Sequence, residues 1–133
     1  PDFSNQEDGY LGLKQIYNLD FGKVSVMEPA LRYQAIAQKK VNLVDGYTTD
    51  PQVRQYDLVV LKDDKNFFPP YQGAPLMNEK FAQANPKIVQ SLEKLAGKIT
   101  TEEMQEMNYE VSVKHQKASV VAHKYLVEHG LLK

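Results

Sequence analysis

The chain has no cysteine, no apolar run long enough to span a bilayer and no surplus of either charge. Each absence removes a class of function. Without a thiol there is no disulfide framework, no cysteine nucleophile and no thiolate metal site. A membrane helix needs about 20 consecutive apolar residues, and no window supplies them. The 16 Lys and Arg against 17 Asp and Glu leave a formal net charge of −1. That balance gives no basic footprint for a nucleic acid or an anionic membrane surface. No G-x-S-x-G, phosphate loop or dinucleotide fingerprint occurs, and there is no internal repeat or low-complexity tract.

Residue clusters that suggest chemistry elsewhere carry little here. Glu102, Glu103 and Glu106 gather on one helical stretch, but nothing nearby would desolvate them, so they read as a solvated face rather than as paired acids. His123 and His129 come nearest to a metal-ligand interval, yet six residues along a helix puts them on different faces. The chain is therefore expected to be no enzyme and to hold no cofactor or metal.

What is present is a core-forming composition, 42% hydrophobic over 133 residues, patterned as alternating helix and strand. Asp8 is the expected cap of a helix carrying Leu11, Leu13, Ile16 and Tyr17 and ending near Asn18. Residues 23–27 alternate as a strand. Glu28-Pro29 opens a second helix with Leu31, Ala35 and Ile36 on its buried face. Residues 41–44 form the next strand, Pro51 starts a helical turn, and residues 58–61 form a third strand followed by a charged loop, 62–66, expected in solvent. Beyond it, residues 74–77 are extended, Asn78 caps a helix, Pro86 begins another that stops at Gly97, residues 101–103 open the next, and residues 117–128 form an amphipathic one ending at Gly130. The fold class is α/β.

Two tyrosines sit in unusual frames: Tyr47 in DGYTTD (45–50) and Tyr71 in FFPPYQGAP (67–75). Tyr47 follows a predicted strand and an Asp-Gly turn, at the carboxyl end of a strand where open α/β sheets bind ligands. Tyr71 follows two prolines whose fixed φ makes a stiff arm that presents a ring at low entropic cost. Each ring is either a half-buried packing residue with a bonded hydroxyl or one wall of an aromatic box for a cation.

The segments EDGYLGL (7–13), PALRYQAI (29–36), DGYTTD (45–50), YDLVVLKDDKNFFPPYQGAPL (56–76) and LAGKITTEEMQEMNY (95–109) resemble, in order and spacing, the C-terminal part of the substrate-binding proteins of osmoprotectant ABC transporters. That family takes up glycine betaine, choline, carnitine and related quaternary ammonium compounds. The resemblance implies a periplasmic-binding-protein-like (type II) two-lobed fold, present here only as a C-terminal fragment. Residues 1–68 would be the second half of the middle lobe, and 69–133 the returning segment of the first lobe. It implies further that the lobes close around a ligand and that an ABC permease is the partner. The location would be extracytoplasmic, at the membrane as a lipoprotein or a permease fusion. A fragment with cut sheets is expected to associate with another copy of itself, by strand or domain swapping.

By the same resemblance, Tyr47 and Tyr71 match positions that supply part of an aromatic cage. A quaternary ammonium has no N–H to donate, so ring faces are its natural host. The sequence departs from the pattern at Gln6, where many relatives carry an Arg in F-x-x-R-x-D-G that grips a ligand carboxylate. A neutral Gln favours a hydroxyl-bearing ligand such as choline, or a carboxylate served by other donors; alternatively Gln6 is a frayed terminal residue. Thr48 offers a hydroxyl either to the ligand or to a helix cap.

Overall fold

The computed structural model describes residues 3–132, and these divide into two compact units. One comprises the residues up to Tyr47 together with Val59–Tyr71; the other comprises Thr48–Leu58 and the chain from Gln72 onward. The chain thus passes from one unit to the other after Tyr47, after Leu58 and after Tyr71.

In the first unit a 3-10 turn, Phe3–Asn5, leads into α1, Tyr10–Tyr17. The helix starts from Gly9 rather than from Asp8. A Cβ at position 9 would lie 2.2 Å from the Phe3 carbonyl oxygen, so the reversal ahead of the helix closes only on glycine. Gly12 is required for a similar reason, since its Cβ would meet the Phe67 ring at 2.8 Å and the Glu7 carbonyl at 1.9 Å. α1 ends at Asn18, which adopts the left-handed conformation (φ 51°) and returns its N–H to the Lys14 carbonyl.

Helix α2, Pro29–Ala37, begins as expected with Glu28 at the N-cap and Pro29 in the first turn. Its buried residues are Tyr33 and Ala35, whereas Leu31 is 54% exposed.

In the second unit α3 (Pro51–Gln55) packs on α6 (Thr101–Ser112), α4 (Glu79–Ala84) on α5 (Pro86–Glu93), and α6 on α7 (Ala118–Glu128). Arg54 pairs with Glu106, and its guanidinium lies 4.5 Å from the centroid of the Tyr109 ring, joining α3 to α6. Val121 and Tyr125 of α7 are buried, and the Tyr125 hydroxyl donates to the Lys98 carbonyl at 2.7 Å.

Local chemistry explains these helix ends. Asn78 accepts from Lys80 and Phe81 N–H, and Thr100 forms a capping box with Glu103. The carboxyl of Glu103 is held below the usual range, chiefly by the Thr100 backbone N–H and hydroxyl. The helix from Pro86 stops at Glu93, and turns carry the chain to Gly97.

The expected strands are a correction. Residues 23–27, 41–44, 58–61 and 74–77 lack helical structure, but none is in a ladder among the described residues. A strand exists only through a neighbour that pairs its N–H and C=O groups, and the described residues bring no such neighbour alongside. Their apolar side chains accordingly stay exposed, Val59 to 85% and Leu76 to 100%.

Candidate ligand-binding site

Tyr47 stands at the end of the extended stretch that follows α2. Two residues earlier, Asp45 accepts a hydrogen bond from Arg32 Nη1 of α2 at 2.7 Å. The Arg32 guanidinium also lies 5.4 Å from the centroid of the buried Tyr33 ring. One ion pair between a mostly covered Arg and a part-exposed Asp therefore ties this stretch to its helix.

Tyr71 is held differently. Asp63 Oδ1 accepts the Tyr17 hydroxyl and the Phe67 N–H (3.0 Å), and Oδ2 accepts the Phe68 N–H (2.8 Å). The Tyr17 oxygen in turn accepts the Lys65 N–H at 2.9 Å, while Lys65 Nζ donates to the Ile16 carbonyl at 2.6 Å and lies 5.1 Å from the centroid of the Tyr17 ring. The end of α1 and the loop that follows Leu61 are locked together. Those bonds hold the Asp63 carboxyl below the usual range, with the Tyr17 hydroxyl the largest influence and the Phe68 N–H next. Partial burial, then the bond to Asp63, pushes the Tyr17 hydroxyl up. Beyond the loop, Phe67 and Phe68 pack edge to face at 4.7 Å, Phe68 stacks on Phe3 at 6.4 Å, and Pro69-Pro70 carry the chain to Tyr71.

These two supports bring the predicted tyrosines together. Their ring centroids are 6.3 Å apart and the planes stand at 87°. Tyr47 is 61% exposed and Tyr71 67%. The two exposed rings thus meet edge to face at a right angle. A concavity of about 680 Å³ along α1 beside Leu11, Lys14 and Leu19 includes neither tyrosine in its lining.

The other two predicted residues are placed by their own surroundings. Gln6 is exposed just ahead of α1, its carbonyl accepting the Gly9 N–H at 3.1 Å. Thr48 belongs to the second unit, where its carbonyl accepts Gln105 Nε2 at 2.6 Å; the N-cap of α3 is Asp50, not Thr48.

Sequence reasoning missed the supports. Residues 62–66 are exposed as expected except for half-buried Asp63, yet Asp63 and Tyr17 organise the loop. A usable signal was present: Asp63 precedes Asn66, which adopts the left-handed conformation (φ 52°) in the turn that the loop makes. An Asp whose side chain receives N–H groups a few residues ahead is a recurrent turn device.

Residues 1–128 match the family model described as the substrate binding domain of ABC-type glycine betaine transport systems. The chain is 39% identical over 119 residues to the carnitine transport binding protein OpuCC of Listeria monocytogenes (strain 10403S), covering 90% of this chain and 39% of that protein. Over 130 residues it is 39% identical to the ergothioneine transport permease/ergothioneine binding protein EgtU of Helicobacter pylori (strain G27), covering 98% of this chain and 24% of that one. A crystal structure titled as a glycine betaine/carnitine/choline ABC transporter superposes with a TM-score of 0.84 at 41% identity, covering 98% of this chain and 48% of its own. The chain thus spans less than half the length of these relatives. The extended stretches and helices are part of the α/β, periplasmic-binding-protein-like (type II) fold seen there. The family is one of binding proteins, not enzymes. The chain belongs to the substrate binding domains of ABC-type glycine betaine transport systems.

Proposed function

We propose that this chain captures quaternary ammonium solutes, with Tyr47 and Tyr71 forming part of an aromatic cage, and that the loaded protein delivers them to an ABC permease outside the cytoplasm. The observation that carries the reading is the exposed, perpendicular ring pair, 6.3 Å between centroids. Carnitine, ergothioneine and glycine betaine, which appear in the relatives' names, share a trimethylated nitrogen that donates no hydrogen bond and spreads its charge over methyl groups. Ring faces suit such a group, at about 0.5–2 kcal/mol per ring. Two rings alone are too few for tight binding, so further aromatic walls complete the cage. Gln6 and Thr48 are the polar candidates for the ligand's other end, with neutral Gln6 favouring a hydroxyl over a carboxylate.

Calorimetry of the intact protein with choline, glycine betaine and carnitine tests this. Binding that weakens when either tyrosine becomes alanine supports the cage. Absence of binding to all three, or affinity indifferent to both substitutions, defeats it.

A second reading is self-assembly, by strand or domain swapping between copies. It is favoured by the exposed apolar side chains of the extended stretches, Val59, Val60, Leu61 and Leu76 among them, which suit added strands. Light scattering that finds a well-folded monomer at low concentration counts against it.

A further inference from the structure

We propose that Asp63 is the positioning residue for Tyr71: its carboxylate fastens the root of the Phe67–Tyr71 arm to α1 and so sets where the Tyr71 ring stands. The inference rests on the aromatic-cage reading above and deepens it by naming a residue that reaches the ligand only through another.

The geometry points one way. Both oxygens of Asp63 are occupied, Oδ1 by the Tyr17 hydroxyl and the Phe67 N–H, Oδ2 by the Phe68 N–H. Tyr17 belongs to α1, 46 residues earlier in the chain, so the carboxylate joins a helix to a loop. The two N–H groups it holds belong to the last residues before Pro69-Pro70. Phe68, preceding a proline, is confined to extended backbone, and both prolines have φ fixed near −65°. With little torsional freedom between Phe68 and Tyr71, a shift at the carboxylate travels to the ring instead of being absorbed on the way. The Phe67 ring is seated over Gly12 of α1, where a Cβ would lie 2.8 Å away, so the arm is also packed on the helix that supplies Tyr17. An ionised carboxylate accepts all three donors, and those same donors keep it ionised. An amide cannot do this, because its NH2 faces a donor.

The experiment is a double-mutant cycle in the intact protein, read by calorimetry with choline and glycine betaine. Asp63→Asn should weaken binding about tenfold, the scale of a displaced pre-organised group. In a Tyr71→Ala background the same change should cost less than about twofold, because the ring it positions is gone. In a Tyr47→Ala background it should keep its full factor. Tyr17→Phe, which removes only the hydroxyl, should act in the same direction by a smaller factor and serves as the readout if Asp63→Asn does not fold. A merely structural Asp63 would weaken binding equally in all backgrounds, and that additive result overturns the proposal. So does wild-type affinity in both Asp63→Asn and Tyr17→Phe while Tyr71→Ala is impaired. If Tyr71→Ala itself binds like wild type, the cage reading fails first and takes this inference with it.

Discussion

Tyr47 and Tyr71 end at the same corner by opposite means. Tyr71 stands on a carboxylate with three donors, a packed phenylalanine pair and two prolines. Tyr47 follows a glycine, and on its preceding side Arg32 pairs with Asp45. A multi-donor anchor followed by stiff backbone fixes a ring through geometry. A partly exposed ion pair fixes one through electrostatics that water and salt can screen. One wall is held through geometry, the other at least in part through charge.

The largest test of that contrast is to remove each wall. Tyr71→Ala and Tyr47→Ala should each weaken binding of a quaternary ammonium ligand by about 2- to 30-fold, the range equivalent to losing one cation–π wall. Calorimetry should show the loss from Tyr71 as the greater, since a pre-positioned ring costs less to order on binding. Equal losses would remove the distinction.

A smaller effect is expected at the tether. Asp45→Asn should weaken binding by up to about fivefold, the scale of an exposed ion pair. Raising the salt concentration should narrow the gap between wild type and variant as the pair is screened. A gap indifferent to salt would show that Asp45 acts through something other than its charge.

Acid tests the Asp63 anchor through stability rather than affinity. The folded pKa of Asp63 lies below its unfolded value. Its contribution is thus complete above about pH 4 and is lost as pH falls through the lower, folded value. Glu103 and Glu110 are depressed as well and act in the same direction. The diagnostic quantity is the difference between wild type and Asp63→Asn in denaturant midpoint, which should shrink on acidification. A difference that stays constant to low pH would mean that the anchor does not depend on the ionised form.

The smallest effect on affinity is expected at a helix cap. Thr100→Ala removes the α6 N-cap and should lower stability by about 0.5–2 kcal/mol, visible in the thermal midpoint, while leaving ligand affinity within error. A matching loss of affinity would place α6 among the supports of the ligand.

Much of this was legible one residue at a time. Prolines 29, 51 and 86 start helices, and Asn78 and Thr100 cap them, because those preferences act within a single turn. Tyr71 stood out through its prolines, and Tyr47 through Asp-Gly. Leu31 was misread as buried because helical spacing does not say which of two apolar stripes meets a neighbour.

The amino-acid order alone thus settled where most helices begin, how stiff the approach to Tyr71 is and, through its matching segments, the family. Tertiary structure alone decided that the two rings meet, that Tyr17 reaches Asp63 and that Arg32 reaches Asp45. Those are encounters between groups far apart along the chain, whose closure depends on how whole elements pack. The expected strands divide the same way: extended backbone is a local preference, whereas a sheet depends on which chain lies alongside.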